Sequence, residues 1–301
     1  MSEPITGEAL YHWREWAIQL AKTNHIDPYE VDWLLQGLTP LTQLSLQTES
    51  YKDQPNIPCK FSLSQLTEKW QQRVTDKVPV QYLVGETPWR NFSITVTPDV
   101  LIPRPETELI IDIAKTLANQ SPMVKQLLSG NWADVGTGSG AIAIGLAHTF
   151  PQAKIHATDI SSQALKIAKR NAAKNNLTDR ITFHQGNWLT PLISLKGHLA
   201  AIVTNPPYIP TATVPTLQPE VNNHEPHLAL DGGPDGLDYL RTLIEDGIAY
   251  LKPGGLLLTE LMAGQAQTVA NLLKQQDSYS KISTHKDLSG IERFVSACKA
   301  L

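Results

Sequence analysis

Cysteine is nearly missing from this chain. Only Cys59 and Cys298 occur in 301 residues, far apart in sequence, which argues against a disulfide framework and fits a reducing compartment. An excess of positive charge is missing too. With 25 Lys and Arg against 29 Asp and Glu, the net charge is -4, so the basic footprint that dominates duplex binding is absent and no direct nucleic-acid binding is expected. No apolar run approaches the roughly 18 residues that read as a membrane span. The opening "MSEPITGEALYHWREW" carries no apolar stretch of signal-peptide length, so the expected location is the cytoplasm, without membrane contact. Neither a phosphate-binding Gly-Lys-Ser/Thr loop nor a serine nucleophile elbow is found. His224 and His227 frame "HEPH", but Pro226 prevents a helical pair and no third ligand follows, so no metal is expected. What remains is an ordinary globular composition, 41% hydrophobic and 18% charged, in a chain long enough for one large and one small domain. A monomer is the default.

The order of patterns along the chain suggests how those domains are laid out. Residues 1–78 read as helices joined by polar loops. Leu10, Trp13, Ala17 and Leu20 share one helical face. In "DPYE", Asp27 is placed to cap, Pro28 to open the helix and Glu30 to cap reciprocally, before Val31, Leu34, Leu35 and Leu38. "SLSQ" repeats the capping pattern with Ser62 and Gln65, and Leu63, Leu66, Trp70 and Val74 supply the stripe. Over 79–103 the period shortens to two, with Phe92, Ile94 and Val96 alternating with polar residues, which predicts a β-hairpin linker. After the breaks at Pro103 and Pro105, Leu109, Ile110, Ile113, Ala114 and Leu117 predict a helix that opens the large domain, 104–301. From Asn131 onward "WADV", "KIHATD", "TFHQGN", "LAAIVTN" and "GLLLTEL" alternate with helical patterns, as in a doubly wound parallel α/β sheet. The helix after Asp235 is expected to end in "LKPGG".

"DVGTGSGAIAIGLA" follows a strand and opens a helix. Gly136, Gly138 and Gly140, with Thr137 and Ser139 between them, let backbone approach a ligand closely. Asp159 ends the next strand, 21 residues beyond Gly138, where an acid accepts from ribose hydroxyls. The glycine cluster alone also suits a nicotinamide dinucleotide, because Ala141 satisfies the last position of that fingerprint. "QGNW" then brings Asn187 and Trp188 to the end of a third strand, offering an adenine an edge and a face. "TNPPYIP" closes the fourth, and a doubly wound sheet opens all four strand ends on one crevice.

The chemistry of that last turn favours a planar NH2 group. Methyl transfer from a sulfonium, which suits this set of motifs, is an in-line displacement in which the protein mainly has to aim the nucleophile. The lone pair of an amide-like nitrogen is delocalised and hard to aim. The side-chain oxygen of Asn205 and the carbonyl of Pro206 can accept both hydrogens of such a group. Pro206 and Pro207 stiffen the turn, and the Tyr208 ring can stack on a flat amide or base.

Together "DVGTGSG", "ATDIS", "GNW" and "NPPY" resemble class I S-adenosylmethionine-dependent methyltransferases that modify planar amino groups. A narrower resemblance is carried by "QYLVGETPWRNFSITVTPDVLIPRPETE", "NPPYIP", "EPHLALDGGPDGLDYLR", "LKPGG" and "DLSGIERFV". These look like the HemK/PrmC family, protein-glutamine methyltransferases acting on class I peptide chain release factors. The resemblance covers most of 79–301 and, over the first 78 residues, only the helical character. It implies a doubly wound, mostly parallel, seven-stranded Rossmann-like methyltransferase sheet with a small N-terminal helical domain that grips the release factor. It implies S-adenosylmethionine as cofactor and the side-chain amide nitrogen of the glutamine in a Gly-Gly-Gln loop as target. Asn205 and Pro206 would hold that amide with Tyr208 packed on it, Gly136 to Gly140 would face the methionine part of the cofactor, Asp159 the ribose and Trp188 the adenine. Arg104, Thr107 and Glu108 of "RPETE" would lie near the site, although acids at a helix start equally cap its dipole.

Two positions depart from the family pattern: Asn187 stands where an acid is usual, which predicts modestly weaker cofactor binding, and Glu260-Leu261-Met262 replaces a Glu-x-Gly, with no role assigned there. The rival reading is an adenine-N methyltransferase acting on DNA or RNA, which would use the same turn on a flipped base. A non-catalytic cofactor-binding scaffold would be expected to have lost the turn. The Pro-, Thr- and Asn-rich stretch from Ile209 to Leu230 is long for a connector and is expected to be a substrate-facing flap.

Overall fold

The computed structural model describes residues 4–301; residues 1–3 of the expected helical domain lie outside the described residues. The chain divides into two compact units, one running up to Thr87 and including Gln218–His224, the other comprising Pro88–Leu217 and Glu225–Leu301.

Local capping starts the helices of the first unit. Thr6 accepts from the Ala9 amide at 3.2 Å and opens α1, Gly7–Thr23. Asp27 takes the Tyr29 amide at 2.9 Å ahead of α2, Tyr29–Leu38, but Glu30 is not the reciprocal cap. Its carboxylate instead grips the buried Arg73 guanidinium through two bonds of 2.5 and 2.8 Å, and a bidentate charged partner outcompetes one backbone amide. Glu220 takes a third Arg73 hydrogen bond at 2.8 Å. After the short α3, Gln43–Thr48, the predicted Ser62–Gln65 capping box opens α4, Leu63–Thr75. The apolar stripes meet in one core holding Leu10, Trp13, Val31, Leu34, Leu66 and Trp70. Trp70 is wholly buried and its indole N–H donates to the Ala17 carbonyl at 3.1 Å, so the one polar atom of the ring is satisfied. A short helix that the period-two pattern does not announce, α5, Val80–Val84, precedes the hairpin of β1, Glu86–Trp89, and β2, Phe92–Thr95.

The second unit begins its helical layer with α6, Leu109–Gln120. Its buried face is Ile110, Ile111, Ala114 and Ala118; Leu109, Ile113 and Leu117 of the predicted stripe are only half-buried. Asp112, Lys115, Thr116, Asn119 and Gln120 recur at helical spacing and form the exposed face, and Leu109, Ile113 and Leu117 flank it, which is why they are covered only in part. Then follow α7, Val124–Ser129; β3, Asn131–Val135; α8, Ala141–Thr149; β4, Lys154–Asp159; α9, Ser162–Lys174; β5, Ile181–Gln185; and β6, Leu199–Thr204, after which the four-residue α10, Pro219–Asn222, belongs to the first unit. The second half holds α11, Asp238–Tyr250; β7, Leu251–Glu260; α12, Ala266–Gln275; β8, Tyr279–Lys286; and β9, Glu292–Lys299. "LKPGG" lies inside the β7 segment rather than in the helix end, because α11 stops at Tyr250 and the chain enters the strand directly.

The seven strands form one sheet in the order β5-β4-β3-β6-β7-β9-β8, parallel except for β9, which runs against both neighbours. The strand order reverses between β3 and β6, and a ligand crevice opens at such a switch point, beyond the carboxyl ends of the strands. The Thr204 hydroxyl donates to the Val135 carbonyl at 2.7 Å and ties the two strand ends together there.

Candidate active site

Beyond β3 the chain turns through Gly136 (φ +74°), Gly138 (φ +52°) and Gly140 (φ +84°) into α8. A Cβ on Gly138 would stand in open space, so the loop presents bare backbone to the crevice. Beneath the loop, Asp134 is fully buried; its Oδ2 accepts from the Thr137 hydroxyl at 2.5 Å and the Ala143 amide at 2.9 Å, while Oδ1 has no partner. Burial pushes this carboxyl up to about 7 against the pull of those two donors. Asn171 of α9 braces the loop from the side, bonding the Ser139 carbonyl and both polar atoms of the Thr95 backbone.

Asp159 ends β4. Its two oxygens accept the Gly138 and Ser161 amides at 2.9 and 2.8 Å, which aims the carboxylate. Burial raises its pKa above the usual carboxylate range. Beyond β5, Trp188 sits in the left-handed region, φ +48°, with its ring 4.8 Å from that of Tyr239. A cavity of about 210 Å³ connects these groups. Gly136, Thr137, Gly138, Ser139, Asp159, Asn187, Trp188, Asn205 and Pro207 of the predicted set line it, whereas Gly140, Pro206 and Tyr208 do not. Gly140 is instead covered by α9: a Cβ there would lie 3.0 Å from the Ala168 methyl.

The clamp turn follows β6. The Asn205 Nδ2 donates to the Thr107 hydroxyl at 3.2 Å, so the amide oxygen is the atom left to accept. Tyr208 donates its hydroxyl to Glu260 Oε1 at 3.2 Å, and the Gln265 amide donates to the Tyr208 carbonyl at 3.0 Å. Glu260 is 2% exposed and its Oε2 has no hydrogen-bond partner. Burial pushes it up to about 7, against the hydroxyls of Thr107 and Tyr208 and the charge of Arg293. Gly232 and Gly236 press on the back of the turn; a Cβ on Gly232 would stand 2.8 Å from the Pro207 carbonyl oxygen, and one on Gly236 would overlap the Tyr208 carbonyl. "DGGPDG" is therefore a close-packing motif.

The residues of "RPETE" part company. Thr107 orients Asn205; Arg104 bonds the buried Glu225 of "EPH" at 2.7 Å; Glu108 accepts the Arg90 amide at 2.8 Å, within the hairpin's support. His224 bonds the Asp76 carbonyl, and no group of three metal-binding side chains occurs among the described residues.

Sequence reasoning passed over Ile160, Tyr239, Glu260 and Gln265. Ile160 is 52% exposed beside Asp159 and lines the cavity. A lone apolar residue after a strand-ending acid was the available signal. Glu260 was marked only by the departure from Glu-x-Gly and Gln265 by nothing, since only the fold brings them to the turn.

The bare glycine cradle, the aimed acid on β4 and the apolar walls of Ile160 and Trp188 fit a nucleoside bearing a short polar chain. The family model described as "Methyltransferase small domain" matches residues 110–221. A release factor glutamine methyltransferase of Synechocystis sp. is 50% identical over 293 residues, covering 97% of this chain and 97% of the relative. One of Thermosynechococcus vestitus is 46% identical over 295 residues, covering 97% and 99%. Among solved structures, the hMettl16 catalytic domain, in complex with the MAT2A 3′UTR hairpin 6, matches with a TM-score of 0.55 at 14% identity, covering 88% of each chain, a likeness of fold alone.

Proposed function

This chain belongs to the release factor glutamine methyltransferase family, and from that premise we propose how its residues carry the reaction: methylation of the side-chain amide nitrogen of the release factor glutamine in the Gly-Gly-Gln loop, with S-adenosylmethionine as donor. When bound, S-adenosylmethionine supplies a methyl group on a positively charged sulfur, which departs as a neutral thioether. Gly136 to Ser139 would offer backbone to its amino acid part, the Asp159 carboxylate would accept from its ribose hydroxyls, and Ile160, Asn187 and Trp188 would border its base.

The observation that carries the reading is the Asn205–Thr107 hydrogen bond, which commits the asparagine nitrogen and leaves its oxygen to accept from a substrate NH2. Asn205 Oδ1 takes one amide hydrogen and the Pro206 carbonyl the other, with Pro207 and Tyr208 forming the stiff flank of the turn. With both hydrogens held, the nitrogen's remaining electron density is directed at the methyl; the N–C bond forms as the S–C bond breaks, and one of the two amide hydrogens is released as a proton to solvent. The substrate partner is a class I release factor; the protein acts as a monomer in the cytoplasm and binds no nucleic acid of its own. No helix among the described residues is long and apolar enough to cross a membrane.

The test is mass spectrometry of a purified class I release factor after incubation with this protein and S-adenosylmethionine. One added methyl on the Gly-Gly-Gln glutamine supports the reading. No transfer, with cofactor bound, overturns it and directs the same assay to adenine-containing substrates.

A further inference from the structure

Behind the Asn205–Tyr208 turn, two polar side chains touch Asn205 and Tyr208 from inside the fold. Thr107, 3% exposed, accepts from Asn205, and Glu260, 2% exposed, accepts from Tyr208. The Thr107 hydroxyl also favours the ionised form of Glu260. Keeping a carboxyl in this place lowers stability, because it is buried with Oε2 unpartnered; an apolar side chain of similar size would be cheaper to fold. What the carboxyl does gain is a grip on the tyrosine. Its own surroundings are built as well. Leu261, the next residue, donates its amide to the Arg293 carbonyl at 2.9 Å. The Arg293 guanidinium, whose charge favours the ionised Glu260, is anchored to buried Asp287 at 2.8 Å. Asp287 also takes the Ser289 and Ile291 amides at 2.9 Å each, so the terminal "DLSGIERFV" folds into a support for this carboxyl. That accounts for a motif to which the clamp chemistry gives no part.

We propose that Thr107 and Glu260 are the positioning residues of the methyl transfer, Thr107 holding the Asn205 amide with its oxygen free and Glu260 fixing the tilt of the Tyr208 ring through its hydroxyl. The inference rests on the reading of Asn205 to Tyr208 as the clamp. It makes Tyr208 more than a flat surface: the hydroxyl bond to Glu260 sets where the ring lies against the glutamine amide.

The experiment is a double-variant cycle on the full chain, assayed with a release factor and S-adenosylmethionine. Tyr208→Phe keeps the ring and removes only the hydroxyl; Glu260→Leu removes the acceptor. Each should lower kcat about tenfold, with KM for the cofactor within about twofold of wild type, since a misplaced group costs rate without loosening the donor. The double variant should be no slower than the slower single one, and Glu260→Gln, which retains an acceptor, should recover most of the loss. Wild-type kcat in Tyr208→Phe, or losses that multiply in the double variant, would overturn the proposal. If Glu260→Leu does not fold, Tyr208→Phe decides alone: a tenfold loss supports the proposal and full activity sinks it. An active Asn205→Ala would instead bring down the clamp reading itself, whereas an inactive Asn205→Ala beside fully active Tyr208→Phe would remove only this inference.

Discussion

Single atoms divide the labour at the site, and substitutions can separate them. Asn205→Ala removes the free acceptor oxygen but nothing of the glycine loop, so it should lower kcat by at least about 10²-fold while leaving cofactor affinity nearly unchanged, as read by calorimetry beside turnover. Gly138→Ala should do the reverse. Its Cβ would occupy the open cradle at φ +52°, costing roughly 1 kcal/mol of stability from the left-handed backbone and weakening cofactor binding about tenfold or more. Cofactor affinity at wild-type strength in Gly138→Ala would contradict the placement of the cofactor's polar chain at this loop. The residue types and spacing of the glycine loop, Asp159 and the Asn205 turn were enough to draw attention to them, because each motif's chemistry is local. Thr107 stood out in "RPETE" but without a role, and Glu260 had none, because their meaning lies in contacts 98 and 52 positions away in the chain.

Among the elements, β4 and β5 carry a pair of histidines that makes a pH signature. His156 Nδ1 meets His184 Nε2 at 3.2 Å, and its other nitrogen lies 3.4 Å from Asn131 Oδ1. Burial, then His184 and Lys154, push His156 down to about 4, and burial lowers His184. The folded state therefore holds His156 neutral where the unfolded chain, near 6.5, begins to take up a proton. The stability this contributes is complete above about pH 6.5 and is lost as pH falls toward 4. Denaturant titrations should show the stability gap between wild type and His156→Asn narrowing from pH 7.5 to pH 5; an unchanged gap would mean the ring is not held neutral. Five core strands were legible from apolar runs bounded by glycines and acids. The β8–β9 pair was less so: β8, Tyr279–Lys286, alternates buried and exposed residues only irregularly, and polar side chains dominate it. The α6 stripe was legible only in part, because Leu109, Ile113 and Leu117 flank the exposed face of Asp112, Lys115, Thr116, Asn119 and Gln120 and are half-buried.

Taken as a whole, the molecule presents a net charge of -4, and a polyanion gains little from approaching it. Adenine-rich RNA added at physiological ionic strength should leave the rate of release factor methylation unchanged; competitive inhibition would revive the base-modifying reading. The doubly wound architecture was legible because alternation of strand and helix patterns leaves few ways to cover a parallel sheet, and the reversal of strand order then dictates where the crevice opens. The close approach of Gly232 and Gly236 to the back of the Pro207–Tyr208 backbone bears on heat as well as on shape. A loop that settles around its ligand surrenders freedom at every cycle, and that loss enters the activation entropy. In the proposed reading the surrender happens once, when the chain folds, and the turn meets each glutamine already set. An Eyring plot of the methyl-transfer step should accordingly run straight across the range in which the protein stays native, with temperature acting on bond-making and not on a wandering backbone.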